Sequence, residues 1–286
     1  MERVLFGDNQ FFAVNHISDE KSIQQAIRFR DLSSIIKTLD YAIDAGINTF
    51  VCTTHDRIAQ VCDHMRQNPD RYKDFNICPA MPYAHKYANA FTELGIVKFI
   101  NQYIPGNKLA TLSAGGMALL GKDFKKMLQL LVDSEMKMFH GISTPMVFLQ
   151  NVMTDLLLGL GMIDLLVEFN DYIERKYNAR AGFMTMNLPY LSETLIDAGV
   201  KRPVVCSSIN KIGFRMTGGL AAYEEYLKQD KVDCIAMQVL AAGAISPREA
   251  FEYVSKIDGV KSILFGASSK GHIEDSYKQI HEFSGN

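Results

Sequence analysis

The chain has no tryptophan, only 8 prolines, and 5 cysteines that form no CxxC pair in 286 residues. An odd cysteine count in a chain this long argues against a disulfide scaffold. One sign of charge does not dominate either: 30 Lys+Arg face 32 Asp+Glu. No broad basic surface for nucleic acid is implied, and any anion site must be local. Long apolar runs are also missing. The most apolar stretch, Val152 to Phe169, is interrupted by Asp155, Asp164 and Glu168, each costly at membrane depth. The segment Met1 to Asp8 carries no apolar h-region, so no signal peptide is expected. The expectation is a soluble, cytoplasmic protein with neither a nucleic-acid nor a membrane partner.

What is present is a repeated alternation. Eight short β-type runs, nearly free of charge, are Val4–Gly7, Asn48–Cys52, Phe75–Pro79, Lys137–Gly141, Gly182–Thr185, Pro203–Ser207, Cys234–Val239 and Ser262–Gly266. Strands covered on both faces have this composition. Amphipathic stretches lie between most of them. Leu32, Ile35, Ile36, Leu39 and Ile43 share one helical face that ends at Ala45-Gly46. Ser246-Pro247-Arg248-Glu249 has the form of a helix start, with Ser as N-cap, Pro at N1 and Glu at N3. The pattern predicts one (β/α)8 barrel domain over residues 1–286. A doubly wound open sheet is the alternative, weakened by the lack of GxGxxG after the first run. Two stretches exceed the economical repeat, Asp8 to Asp31 and Pro82 to Met136. The stretch from Pro145 to Glu168 reads as a helix apolar on more than one face, which favours a core or subunit-interface position and a homo-oligomer.

In such a barrel the chemistry sits at the C-terminal ends of the strands. Reading those ends gives Asp8 and Asn9 after the first run, His55 after the second, Tyr83 with His85 and Lys86 after the third, and His140 at the fourth. Asn187 follows the fifth, Asn210 the sixth, and Gln238 lies within the seventh between apolar neighbours. His140 is a candidate acid/base, because histidine ordinarily titrates near neutrality. Asp8 fits a base, a metal ligand or a cap. Asn9, His55, Tyr83, Asn187, Asn210 and Gln238 are candidates for holding substrate. No HxH, HExxH or paired-carboxylate motif supports a metal site. Cys52 and Cys206 fit buried small hydrophobes better than nucleophiles. Neither Lys137 nor Lys211 falls where a Schiff-base lysine would.

Two loops suit an anion. The break after the last run, Gly266-Ala267-Ser268-Ser269-Lys270, places small residues before a helix start, where amide N–H groups converge. Together with Gly243 after the seventh run, it predicts phosphate binding by Gly266, Ser268 and Ser269. In Asn210 to Gly219, Lys211 and Arg215 stand among glycines that permit close backbone approach.

Three segments resemble the aldo-keto reductase superfamily: Leu5-Phe6-Gly7, its first barrel strand; Ala42 to Asn48, its first helix leading into strand 2; and Val260 to Ile273, its strand 8 and phosphate-gripping turn. The resemblance implies a barrel and NAD(P) as cofactor. The family's donor set is mostly missing. Where it keeps Asp and a catalytic Tyr after strand 2, this chain reads Cys52-Thr53-Thr54-His55, and its strand-3 Lys has no counterpart in Asn76-Ile77-Cys78-Pro79. Only His140 corresponds to the family's histidine. The leading expectation is therefore a proton-transfer enzyme, a lyase or isomerase, acting on a small phosphorylated or sugar-like substrate. A nicotinamide-dependent oxidoreductase with a rearranged donor set and a non-catalytic ligand-binding barrel are the alternatives.

Overall fold

The computed structural model describes residues 1–12, 19–82 and 114–285. Eight parallel strands close in sequence order into a barrel. They are β1 (Val4–Gly7), β2 (Thr49–Thr53), β3 (Asn76–Met81), β4 (Met146–Leu149), β5 (Arg180–Thr185), β6 (Val204–Ser208), β7 (Asp233–Met237) and β8 (Val260–Phe265). Closure pairs β1 with β8 through Val4↔Ile263, Leu5↔Leu264 and Phe6↔Phe265.

The outer helices include α1 (Asp19–Arg28), α2 (Leu32–Asp44), α3 (Asp56–Gln67), α4 (Pro69–Tyr72) and α5 (Ala114–Met136). They continue with α6 (Asn151–Gly159), α7 (Ile163–Tyr177), α8 (Leu188–Asp197), α9 (Leu220–Leu227), α10 (Pro247–Ser255) and α11 (Lys270–Ser284). The expected face of α2 is buried at Ile35, Leu39 and Ala42. Ser246 caps α10 by accepting from the Glu249 amide. No helix among the described residues is long and apolar enough to cross a membrane.

Strand alternation divides the apolar residues into two layers. Leu5, Val51, Cys78, Met146, Phe148, Val204, Cys206 and Ile235 fill the barrel interior. Phe6, Phe50, Val147, Phe183, Val205, Cys234 and Ile263 point outward beneath the helices. On that outer layer Phe6 meets Phe11, Phe50 and Phe265 at ring separations of 6.3, 6.4 and 5.8 Å. Phe11 also packs edge-on to Phe29 at 4.9 Å. Full burial of one such side chain is worth roughly 1.5–3 kcal/mol. Here it pins the turn after β1, and with it Asp8, Asn9 and Gln10, to the strand ends.

The fourth strand lies later than expected. Lys137–Phe139 forms a 3-10 turn, and β4 begins at Met146. Phe139 is buried, and Arg66 holds this turn by donating to the carbonyls of Met138 and His140 at 3.1 and 2.9 Å. The supposed helix over Pro145 to Glu168 is instead β4, α6 and α7, with a break at Leu160–Met162 where Gly161 adopts φ +67°. Val152 and Leu160 on this stretch are exposed. The two patterns are hard to separate because four strand residues run directly into an apolar helix.

Gly182 is the tightest point inside the barrel. A Cβ there would lie 2.4 Å from the Phe148 ring, which the packed strands leave little room to move. Gly182→Ala should cost about 1–3 kcal/mol, as overpacking does, measured by urea unfolding. An unchanged midpoint would contradict this packing.

Candidate active site

On β1, β2, β3 and β6 the interior side chains shorten toward the C-terminal end of the barrel. Leu5 is followed inward by Gly7, Val51 by Thr53, Cys78 by Ala80, and Cys206 by Ser208. The space left is a cavity of about 530 Å³. Its apolar floor includes Val51, Ala80, Met184, Met237 and Leu264, and its polar wall includes Asp8, Asn9, Gln10, Gln150, Asn151 and Gln238. The loops after β7 and β8 contribute Gly243 and Gly266, and Arg215 stands at the rim.

Asp8 is the one carboxylate among the described lining residues. It is 6% exposed, and its Oδ2 accepts from both the amide and the hydroxyl of Thr53 at 2.7 Å. Burial raises its pKa above the ordinary carboxylate value, and the Thr53 bonds oppose that shift only in part. Burial likewise raises the Cys52 thiol, which lines the same wall and is therefore a poor nucleophile. Gln10 follows in the same turn, 4% exposed. Its Nε2 donates to the Gly7 carbonyl at 2.7 Å, which turns Oε1 toward Gly266.

Backbone strain gathers on this face. Arg215, Gln238 and Ala242, all lining the cavity, and neighbouring Ala241 have φ between +46° and +58°. Left-handed non-glycine residues persist where surrounding bonds over-determine them, and they cluster at functional sites. The Asn210 side chain supplies such bonds, donating to the Phe214 carbonyl at 2.9 Å and accepting from its amide at 2.8 Å. That clasp sets Phe214 and Arg215 at the rim. The Arg215 guanidinium lies 5.4 Å from the Phe214 ring centre. The Gly243 amide donates to the Leu240 carbonyl at 2.8 Å, so Gly243 offers the cavity an absent side chain and not a free donor. After β8, the amides of Ser268 and Ser269 donate to no acceptor among the described residues. The Ser269 hydroxyl caps α11 at the His272 amide.

Several expected site residues lie elsewhere. His140 is exposed and precedes β4, at the end of the barrel opposite the cavity. The position just beyond β4 is Gln150, which lines the cavity. Asn187 lines a separate hollow of about 210 Å³ with Asp155, Met186, Tyr190 and Thr217. Asn210 is fully buried and spent on the clasp just described. Lys211 points away into an ion pair with Glu249 at 2.6 Å. His55 stacks on Phe12 at 4.3 Å and caps α3, its Nδ1 accepting from the Arg57 amide; it is not part of the cavity lining. Tyr83, His85 and Lys86 fall outside the described residues. Among the described residues, no group of three His, Cys, Asp or Glu side chains converges as a metal site would.

Gln150 and Asn151 were hidden by the misplaced fourth strand. Asp155 was read only as an interruption of an apolar run. Its carboxylate accepts from the Thr185 hydroxyl and the Met186 amide, and burial raises its pKa.

No protein-family model matches the chain, and no curated protein matches it in sequence. Solved structures do match in shape. A candidate aldo-keto reductase from Pseudomonas aeruginosa superposes with a TM-score of 0.62 at 12% identity, covering 99% of this chain and 90% of that one. A candidate 2,5-diketo-D-gluconic acid reductase B gives 0.59 at 8% identity, over 99% of this chain and 86% of that one. An aldo-keto reductase enzyme from a Medee basin deep-sea metagenome library gives 0.55 at 9% identity, over 91% and 89% respectively. At these identities the likeness shows the fold: this is an aldo-keto reductase-like barrel.

Asp8 makes stability depend on pH with a definite sign. Its folded pKa lies above the ordinary 3.8, so its favourable contribution is full below that value and is lost as pH rises through the folded pKa. Asp8→Asn does not titrate. Relative to the parent chain, its urea midpoint should rise as pH climbs above 3.8 and level off once folded Asp8 has ionised. Parallel pH profiles for the two proteins would contradict a raised Asp8.

Proposed function

We propose that the mouth cavity is the active site of a nicotinamide-dependent oxidoreductase acting on a small polar substrate, with Asp8 handling the proton. The observation that carries this reading is the continuity of one cavity. It reaches from buried Asp8 to Gly243 and Gly266 beside the β8 turn, where the Ser268 and Ser269 amides meet no acceptor among the described residues.

The residues fit such a cofactor in kind. Open amides at the start of a 15-residue helix suit a phosphate. Arg215 adds a cation, and no carboxylate lies within ion-pair distance of it among the described residues. The bound cofactor would supply or accept the hydride. The chain does the rest. Met184, Met237 and Leu264 give the reacting centre an apolar floor. The carboxamides of Asn9, Gln150 and Asn151 offer hydrogen bonds to substrate oxygens. Protonated Asp8 donates to the oxygen during reduction, and its carboxylate takes that proton back during oxidation. Reduction should therefore slow, and oxidation quicken, as pH rises through the Asp8 pKa.

One observation favours a second reading. Asp8 is surrounded by carboxamides, and the described lining contains no Tyr, Lys or His. A lyase or isomerase would use Asp8 alone as acid and base.

Titration followed by NADPH emission separates the two. The oxidoreductase reading expects saturable binding, weakened about tenfold in Arg215→Ala, as for one lost charge-assisted contact, and unchanged in Lys211→Ala. Asp8→Asn should retain NADPH binding and lose about 10²-fold or more in turnover over an aldehyde panel. His140→Ala should match the parent chain. Absence of NADPH binding would overturn this reading in favour of the second.

A further inference from the structure

The cavity holds one carboxamide whose orientation is set from behind. Gln238 follows β7 directly and has φ +53°, a left-handed conformation unusual for a side-chain-bearing residue. Its backbone is held on several sides. The Gln238 carbonyl accepts from the Ala241 amide at 2.9 Å and from the Asn210 Nδ2 at 3.5 Å. The preceding Met237 carbonyl accepts from the Ile209 amide at 3.1 Å. The side chain is held as well. Ser208, the fully buried last residue of β6, donates its hydroxyl to Gln238 Oε1 at 2.6 Å.

The Ser208 hydroxyl has one proton and two acceptors in reach, Gln238 Oε1 at 2.6 Å and the Met186 thioether at 3.2 Å. An amide oxygen is the stronger acceptor, and the shorter contact goes to it. With Oε1 engaged by Ser208, Nε2 carries two N–H donors, and no protein acceptor for Nε2 exists among the described residues. A polar donor pair half-buried in an apolar-floored cavity is costly unless a ligand or water meets it.

We infer that Ser208 is a positioning residue that locks the Gln238 amide as a fixed hydrogen-bond donor for a carbonyl oxygen of the ligand. This rests on the cavity being the binding site, as proposed above, and adds a residue outside the lining to its machinery. The logic is preorganisation: a donor already aimed where an acceptor will sit loses no orientation on binding. Gln238 touches the ligand, and Ser208 acts through it. Without the Ser208 hydroxyl the amide is free to flip and can present its oxygen, which repels a carbonyl.

Two measurements on the 286-residue chain test this. The first is neutron diffraction of the ligand-free protein. The deuteron on Ser208 Oγ should point at the Gln238 oxygen, with both Nε2 deuterons facing the cavity. A Gln238 Nε2 deuteron directed at Ser208, with the Ser208 deuteron on Met186, overturns the assignment. The second titrates acetone and cyclohexanone while following the Gln238 side-chain NH2 signals by 15N–1H NMR. Saturable shifts are expected in the parent chain. Affinity should fall about tenfold in Ser208→Ala, the equivalent of one hydrogen bond, and return in Ser208→Thr, which keeps the hydroxyl. A merely structural Ser208 would lower the melting temperature and leave ketone affinity unchanged, and that result sinks the proposal. So does a parent chain that binds neither ketone. NADPH binding is scored separately, so failure of the oxidoreductase reading remains distinguishable from failure of this one.

Discussion

Closure of the eight strands is the constraint on which the molecule rests. A closed parallel barrel leaves no free edge and forces alternate residues of every strand inward. Large residues at those inward positions fill the lower barrel, with Phe148 fitting only because Gly182 opposite has no side chain. Small or polar residues at the last inward positions, Gly7, Thr53, Ala80 and Ser208, leave the mouth open. The cavity thus follows from small side chains at the ends of β1, β2, β3 and β6, and the loops after β1, β4, β6 and β7 complete its wall.

The same arrangement explains the chemistry of the mouth. Asp8 follows the closing strand and is drawn under the turn that Phe11 anchors against Phe6 and Phe29. Its neighbour across the strand pair is Thr53, whose amide and hydroxyl hold one carboxylate oxygen. Two bonds make the burial of a carboxylate tolerable without cancelling its cost, so the acid keeps a raised pKa. A raised acid in a cleft is a candidate functional group. The left-handed residues at Arg215, Gln238, Ala241 and Ala242 lie in the loops after β6 and β7 around the same mouth, so strain and unusual acidity share one end of the barrel.

Most of the barrel was legible because seven strands are short, carry at most one charged residue each and are bounded by turn residues; their ends moved by only a few positions. The fourth was not. Met146 to Leu149 merges into the apolar first turns of α6, while Lys137 to Phe139 imitates a strand although it is a 3-10 turn buried at Phe139. That single slip placed His140 at the mouth and concealed Gln150. Among polar loop residues, sequence could place Asp8, Asn9, Arg215 and Gln238 near strand ends, and these line the cavity. It could not distinguish them from Asn210, which is consumed by a backbone clasp, or Lys211, which is neutralised by Glu249. Those distinctions depend on partners 4 to 38 residues away that only the folded chain brings together.

In the proposed function one cavity serves both a phosphate-bearing cofactor at the β8 turn and a substrate beside Asp8. Its most direct test is a crystal structure of the chain grown with NADP+. Phosphate oxygens should lie within hydrogen-bond distance of the Ser268 and Ser269 amides, with the dinucleotide running inward to the floor formed by Met184, Met237 and Leu264. A dinucleotide bound on the outer helices, or an open cavity at saturating NADP+, would contradict it.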